Sequence, residues 1–369
     1  MKVAFVVTGG LHPSGRDEIV PLWVSLIERL ARVHEVHAFA LHHLDRPTDY
    51  TLAGAAVHDL GRPSGWQRWA RLRRKLLDDG PFDAIHGLWG HPPGSLAALA
   101  GRTLGIPAVV TCDSGEFVSV AEIDYGLQRR WRSRTMVRLA CQLATRVHVA
   151  THYMQDLAAT LGVSATRIPL GVDIARFRPR KAPPEGPPWR VLQVASLNRV
   201  KDQTTLLVAM AALRRDLDVR LDLVGQDTLN GELQSTATRL GIADAVSFHG
   251  VQPNDALGRF HEQAHLYVQS SQHEAAGVAV LEAASCGVPI VGTRVGYVCD
   301  WGPQDGAFAV PPGDPVSLAA AIRHAVRYRP ERELVAANGQ RFARAHDADW
   351  SSRALTALYE EVRSSSRRG

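Results

Sequence analysis

From Val3 to about residue 325, short and nearly uncharged β-type runs alternate with longer segments whose apolar residues recur every three or four positions. Residues 3–7, 36–41, 84–88, 106–111 and 144–151 read as strands. Between them, 19–32, with Leu22, Leu26, Ile27 and Leu30 on one face, and 95–104 and 127–141 read as helices. The pattern resumes with strands at 190–195, 219–224, 246–249, 266–270 and 290–293, separated by helices at 204–213, 232–240, 255–263 and 278–285. Helices at 316–327, 332–345 and 349–362 close the chain, and Arg367-Arg368-Gly369 reads as a frayed tail. Such alternation predicts an α/β protein with parallel sheets covered by helices on both faces.

The proline-rich, charged stretch 178–188 interrupts the alternation and reads as a linker. A chain of 369 residues also exceeds what one core usually supports. The expected division is therefore a doubly wound, Rossmann-like domain at 1–175, a linker at 176–189, a second such domain at 190–345 and a closing segment at 346–369. A ligand is expected in the cleft between the domains, at the carboxyl ends of the strands.

Composition narrows the function. The net charge is +5, and residues 1–175 carry 19 basic against 16 acidic side chains, so the excess is not gathered on one half. That argues against a nucleic-acid partner. Cys112, Cys141, Cys286 and Cys299 form no C-x-x-C pair, which fits a reduced, cytoplasmic setting. The first apolar run, 3–7, is too short for a signal peptide, and the weakly charged stretch 275–293 contains Glu282 and Pro289, so no membrane span is expected. Sixteen histidines invite a metal reading, but His42-His43 and His34/His37 lack a helical i, i+4 pair with a third ligand and read as surface or satisfied core residues. Asp216-Leu217-Asp218 precedes a strand and reads as a turn. No metal and no cofactor is expected.

Three stretches carry the candidate chemistry. Glu274-Ala275-Ala276-Gly277-Val278-Ala279-Val280-Leu281-Glu282 sets two carboxylates around a small-residue turn that opens a helix. Gly277, Val278 and Ala279 would turn backbone N–H groups and a positive helix end toward a phosphate, and Glu282 could reach a ribose diol. Read by spacing alone, Glu282 could equally be a solvated helix residue. The second stretch, Ala195-Ser196-Leu197-Asn198-Arg199-Val200-Lys201-Asp202, follows the first strand of the second domain, where Lys201 and Arg199 could grip a diphosphate; an exposed basic loop is the plain alternative. The third, Thr8-Gly9-Gly10 with Gly15, is not G-x-G-x-x-G, and the nearest acid after the second strand, Asp45, comes late for a dinucleotide site.

Together these stretches resemble the retaining nucleotide-sugar glycosyltransferases of family 4, which have the GT-B fold. The resemblance also rests on His86-Gly87-Leu88-Trp89-Gly90-His91, Arg167-Ile168-Pro169-Leu170-Gly171-Val172-Asp173 with Phe177, Leu223-Val224-Gly225, Phe248-His249-Gly250, and the run from Ala283 to Pro289. It implies transfer of a sugar from a UDP- or GDP-sugar, UDP in preference, to a hydroxyl acceptor, without a metal. By position it implies that Lys201 binds the donor diphosphate, Glu282 the ribose, and Glu274 the donor sugar. Gly10, Gly225 and the 277–279 backbone would lie near phosphates and sugar, and Val251 against the base. His91, Asp113 and Glu116 are candidates on the acceptor side. The final helix would cross back onto the first domain, as in relatives.

The chain departs from the family pattern at three places. Ser196 stands where the family has an arginine, with Arg199 as a substitute from another backbone position; Ala275 replaces a glycine; and Cys112-Asp113-Ser114-Gly115-Glu116 stands where many relatives have His-Gly. These departures keep open a nucleotide-sugar-binding protein impaired in catalysis. A Rossmann-type dehydrogenase, lacking fingerprint and acid, is the weaker alternative. Two acid-free basic stretches, 66–77 with Arg68, Arg71, Arg73, Arg74 and Lys75, and 127–138 with Arg129, Arg130, Arg132, Arg134 and Arg138, suit peripheral contact with anionic lipid or a solvated helix face.

Overall fold

The computed structural model describes residues 1–302 and 306–366; the tail read as frayed, 367–369, lies outside the described residues. The chain forms two compact units, Met1–Pro169 joined by the chain from Ala348 onward, and Leu170–Asp347.

The first unit is built on an eight-stranded sheet in the order β3-β4-β2-β1-β5-β6-β7-β8. Its strands are β1 (Lys2–Val7), β2 (Glu35–Ala40), β3 (Thr48–Leu52), β4 (Ala55–Asp59), β5 (Ala84–Leu88), β6 (Ala108–Thr111), β7 (Arg146–Val149) and β8 (Ala165–Arg167). Val3 to Val7 are all fully buried, as a central strand covered on both faces requires. Covering helices are α1 (Pro21–Ala31), α2 (Gly65–Asp78), α3 (Ser95–Leu104), α4 (Trp131–Leu143) and α5 (His152–Thr160). Proline opens α1, which buries Trp23, Leu26, Ile27 and Leu30. Gly105, left-handed at φ 70°, ends α3.

The expectation of wholly parallel pairing fails at one edge. β3 runs antiparallel to β4, joined through Ala53 and Gly54, both at positive φ, the mirror-image turn that suits the twist of a hairpin. The edge strand reads Thr-Asp-Tyr-Thr-Leu, too polar to register as a core strand.

The second unit holds a six-stranded, wholly parallel sheet in the order β11-β10-β9-β12-β13-β14. The strands are β9 (Trp189–Val194), β10 (Val219–Val224), β11 (Val246–Phe248), β12 (Leu266–Gln269), β13 (Ile290–Thr293) and β14 (Ala307–Val310). The helices are α6 (Gln203–Leu213), α7 (Glu232–Arg239), α8 (Leu257–Gln263), α9 (Val278–Ser285), α10 (Gly296–Asp300), α11 (Pro315–Arg327) and α12 (Arg329–Ala345). Val191, Leu207, Met210, Leu221, Leu266 and Ile322 anchor its core. From β9 the chain winds outward through β10 and β11, then returns to lay β12 on the other side of β9. The strand order therefore reverses between β9 and β12, the position where doubly wound sheets bind ligands.

The segment read as a linker is instead tied to the second unit. The Arg180 N–H donates to Cys286 O at 3.1 Å and its guanidinium to Ala264 O at 2.6 Å, while Phe177 O accepts from Ser285 Oγ at 2.6 Å. Composition made it look free; these anchors hold it down. The last helix, α13 (Ala348–Ser366), belongs to the first unit and packs on α1 and β5. Its Tyr359 Oη meets His86 Nδ1 at 2.6 Å, and Asp349 pairs with Arg29 at 2.8 Å.

Candidate active site

The loops after β9 and β12 meet at the strand-order reversal. After β9, the Lys201 N–H donates to Asn198 Oδ1 at 3.0 Å, and Asp202, left-handed at φ 47°, caps α6 by accepting from the Thr205 N–H. After β12, Ser270 Oγ donates to Lys201 O at 2.8 Å, and the Gln272 N–H donates to Val200 O at 2.8 Å. Gln272 Nε2 also donates to Asp202 Oδ2 at 2.5 Å. The two loops are thus laced together through backbone and side chain. Across them Lys201 Nζ reaches Glu274 Oε1 at 2.5 Å, and that oxygen also accepts from Ser271 Oγ at 2.7 Å. The Glu274 side chain is 12% exposed and that of Lys201 26%, so the pair faces solvent without being fully hydrated.

Behind Glu274 the chain turns through Gly277, left-handed at φ 80°, into α9. At this φ any side chain would be strained, and a Cβ would also press on Gln269 Oε1, so the turn favours glycine. Ala275 and Ala276 are buried, and Ala276 O accepts from the Tyr297 N–H at 2.8 Å, fixing the start of α9 beside the carboxylate. Glu282, half-buried inside α9, has its pKa pushed up to about 7 by burial, against the opposing charge of Arg176. The charges of Glu274 and Glu282 both act on the buried Tyr267 hydroxyl, whose pKa burial already raises well above the usual value. Tyr267 donates to Val194 O at the end of β9. The sequence reading missed Tyr267 and Ser271; neither stands in a motif, and only the packing of β9 against β12 reveals them.

The other predicted residues are placed as follows. Arg199 does not join Lys201: its guanidinium pairs with Glu232 on α7 at 3.0 Å, both side chains exposed. Ser196 is exposed, and its carbonyl accepts from Gln203 Nε2 at 3.1 Å. Gly225 follows β10; its N–H donates to Gly250 O at 2.9 Å, and a Cβ there would strike Ala195 O, so the ends of β9, β10 and β11 close on one another. Val251, next to Gly250, is 70% exposed. Val278 and Ala279 form the first turn of α9.

Gly10, His91, Asp113 and Glu116 lie in the first unit. Gly10, at φ 81°, accepts at its carbonyl from the Val20 N–H. His91 Nδ1 meets Ser95 Oγ at 3.0 Å, and burial, with the charge of Arg68, lowers its pKa. Asp113 is half-buried after β6. Glu116 is 1% exposed, its two oxygens accepting from the Gly90 and Ser114 N–H groups at 2.9 and 2.7 Å; it braces the loops after β5 and β6.

A cation held against a carboxylate at the reversal, beside a glycine-opened helix, suits an anionic ligand with hydroxyls. Both units match families of known proteins. The family described as "Glycosyl transferases group 1" matches residues 175–342, and "Glycosyl transferase 4-like domain" matches 22–171. The chain is 27% identical over 301 residues to an MMP alpha-(1->4)-mannosyltransferase of Mycolicibacterium hassiacum, covering 77% of this chain and 71% of that protein. It is 29% identical over 326 residues to a D-inositol 3-phosphate glycosyltransferase of Geodermatophilus obscurus, covering 79% and 70%. Among solved structures, sucrose-phosphate synthase of Thermosynechococcus elongatus superposes with a TM-score of 0.81 over 99% of this chain and 100% of that one, at 18% identity. The Anabaena protein HepE in complex with UDP-glucose does so at 0.74 over 98% and 100%, also at 18% identity. The chain belongs to the family 4 glycosyltransferases of the GT-B fold.

Proposed function

We propose that this glycosyltransferase takes its sugar from a nucleoside-diphosphate donor, UDP rather than GDP, and passes it to a hydroxyl acceptor with retention of anomeric configuration. The carrying observation is the contact of Lys201 with Glu274 at the strand-order reversal of the second unit. Bond breaking at the anomeric carbon places charge on the diphosphate, and Lys201 together with the N-terminal end of α9 stabilises that charge. Arg199 contributes once it leaves Glu232. Glu274 orients the donor sugar and Glu282 the ribose diol. The acceptor hydroxyl attacks from the face the diphosphate leaves, and the departing phosphate takes its proton. UDP is preferred because HepE, a solved protein of the same fold, was captured in complex with UDP-glucose. No catalytic metal takes part in this scheme, since Lys201 fills the electrostatic role a metal would have.

The test is a panel of nucleotide sugars assayed for released UDP or GDP, with the product anomer read by NMR. Release of UDP with retained configuration supports the reading. GDP release alone, or inversion, overturns the corresponding part. Binding of a donor with neither transfer nor hydrolysis gives the alternative, a nucleotide-sugar binder impaired by Asp113 and Ala275.

We also infer peripheral contact with anionic membrane at the cytoplasmic face, through α4. No helix among the described residues is long and apolar enough to cross a membrane. On α4 and the turn before it, Arg130, Arg132, Arg134 and Arg138 accompany the exposed Trp131, Met136 and Leu139. The basic residues of α2 are more engaged within the protein: Arg68 and Arg71 donate to Pro63 O and Leu60 O, and Lys75 pairs with Asp49 and Asp79. Each free basic residue near an anionic surface contributes about 1 kcal/mol. Sedimentation with phosphatidylserine vesicles at low salt supports the contact; failure to sediment there removes it.

A further inference from the structure

We propose that His37, His58 and Asp79 form a binding site for one divalent ion of the zinc class in the first unit, separate from sugar transfer. His37 lies on β2 and His58 on the neighbouring parallel strand β4, where Phe39 pairs with His58. Both imidazoles therefore stand on one face of the sheet, beside Asp79, the residue that ends α2. His37 Nδ1 and His58 Nε2 are 3.0 Å apart, His58 Nε2 is 3.6 Å from Asp79 Oδ2, and all three donor atoms lie within 4.8 Å of one another.

The outer nitrogens make the arrangement specific. His37 Nε2 is 3.1 Å from Glu35 Oε1, and His58 Nδ1 is 3.0 Å from Asp49 Oδ1. A carboxylate only accepts, so each outer nitrogen carries the ring proton. With both outer protons in place the two neutral rings turn lone pairs toward each other across 3.0 Å, an arrangement that a cation between them would satisfy. Two Zn–N bonds of about 2.0–2.1 Å meeting near the tetrahedral angle set their nitrogens roughly 3.3 Å apart, within a few tenths of an ångström of this spacing. A carboxylate on the far nitrogen of each histidine is also the usual support of a metal-binding imidazole.

A proton could fill the gap in place of a metal, but His58 is only 6% exposed, so that charge would be held largely out of water. Lys75 is the competitor: its ammonium lies 3.3 Å from Asp79 Oδ2 and 3.0 Å from Asp49 Oδ2. An entering ion takes Asp79 and leaves Lys75 on Asp49. The bound ion would staple β2 and β4 to the end of α2.

The test uses the full chain, stripped of metal and then dialysed against Zn²⁺ or Co²⁺. The expected result is one ion per chain by atomic absorption and a visible absorption band with Co²⁺. Zinc at a hundredfold excess over its Kd should raise Tm by roughly 5–10 °C. His37→Gln and His58→Gln lose the ion, whereas Lys75→Ala binds it more tightly. Initial rates of transfer well below Tm stay the same with and without zinc, so the donor reading stands or falls separately. Absence of retained zinc and of a cobalt band in the unmodified chain overturns the proposal whatever the variants do. Retention equal to that of His37→Gln, once that variant is shown folded by circular dichroism, also overturns it.

Discussion

Lys201 Nζ and Glu274 Oε1, 73 residues apart in sequence, are 2.5 Å apart at the carboxyl ends of the adjacent strands β9 and β12. An incoming diphosphate must share or take the ammonium that Glu274 now holds. Lys201→Ala is expected to lower turnover by about 10²–10³, measured as released nucleoside diphosphate. Glu274→Gln frees the ammonium, so UDP itself should bind about threefold to fivefold more tightly, the worth of a partly exposed pair. Turnover should nevertheless fall, because the sugar loses its orienting carboxylate. Calorimetry with UDP beside the rate assay separates the two effects, and unchanged UDP affinity would refute the competition.

Arg199 lies two residues before Lys201 yet points elsewhere. Its partner Glu232 and it are both exposed, a setting in which ion pairs contribute about 0–1 kcal/mol. Arg199→Ala should therefore lower turnover less than tenfold, far less than Lys201→Ala. A loss matching that of Lys201→Ala would show that Arg199, once off Glu232, carries as much of the diphosphate charge as Lys201 and is no minor contributor.

The contrast between these two residues shows what the sequence made legible. Apolar strands such as β1, β5 and β12 and the glycine-opened helix α9 were readable because burial writes itself as hydrophobic runs and left-handed turns favour glycine. The direction of Arg199 was not, since Glu232 captures it from 33 residues away. The β3–β4 hairpin escaped because its outer strand carries Thr48, Asp49 and Thr51 toward solvent. The contact of His37 with His58 was hidden because β4 brings it from 21 residues away, and the proline-rich segment looked loose until Arg180 found Ala264 O.

Buried histidines should make the fold sensitive to acid. In the first unit His86, Thr111 and His148 form a buried chain with contacts of 2.6 and 2.7 Å, ending where His148 Nε2 donates to Ile168 O. In the second unit His261 is fully buried, and among the described residues neither of its ring nitrogens has a hydrogen-bond partner. Burial lowers the pKa of His148 and of His261 to about 4, against 6.5 for the free side chain. The unfolded chain therefore binds more protons between pH 6.5 and 4. Stability is complete above that window and is lost as pH falls through it, by about 2 kcal/mol per such histidine at pH 5. Tm should drop between pH 7.5 and 5, and His261→Leu, which removes the proton site and fills similar space, should raise Tm more at pH 5 than at pH 7.5. Equal gains at both values would show that His261 is not part of the acid response.

Glu282 reverses that sign. Burial raises its pKa to about 7, above the 4.5 of an ordinary glutamate, so the folded state holds the extra proton between those values. Its contribution to stability is full below pH 4.5 and disappears as pH rises through 7, where a half-buried carboxylate must carry its charge with Arg176 as opposing charge. Glu282→Gln keeps the shape and removes the charge; Tm should rise at pH 8 and change little at pH 5. The same variant should weaken UDP binding, because a neutral amide accepts the ribose hydroxyls less strongly than a carboxylate, by about 1 kcal/mol or roughly fivefold. A chain both more stable at pH 8 and poorer at holding nucleotide is the expected outcome, read by thermal melts at the two pH values and calorimetry with UDP. Unchanged affinity alongside the stability gain would place Glu282 outside the nucleotide site.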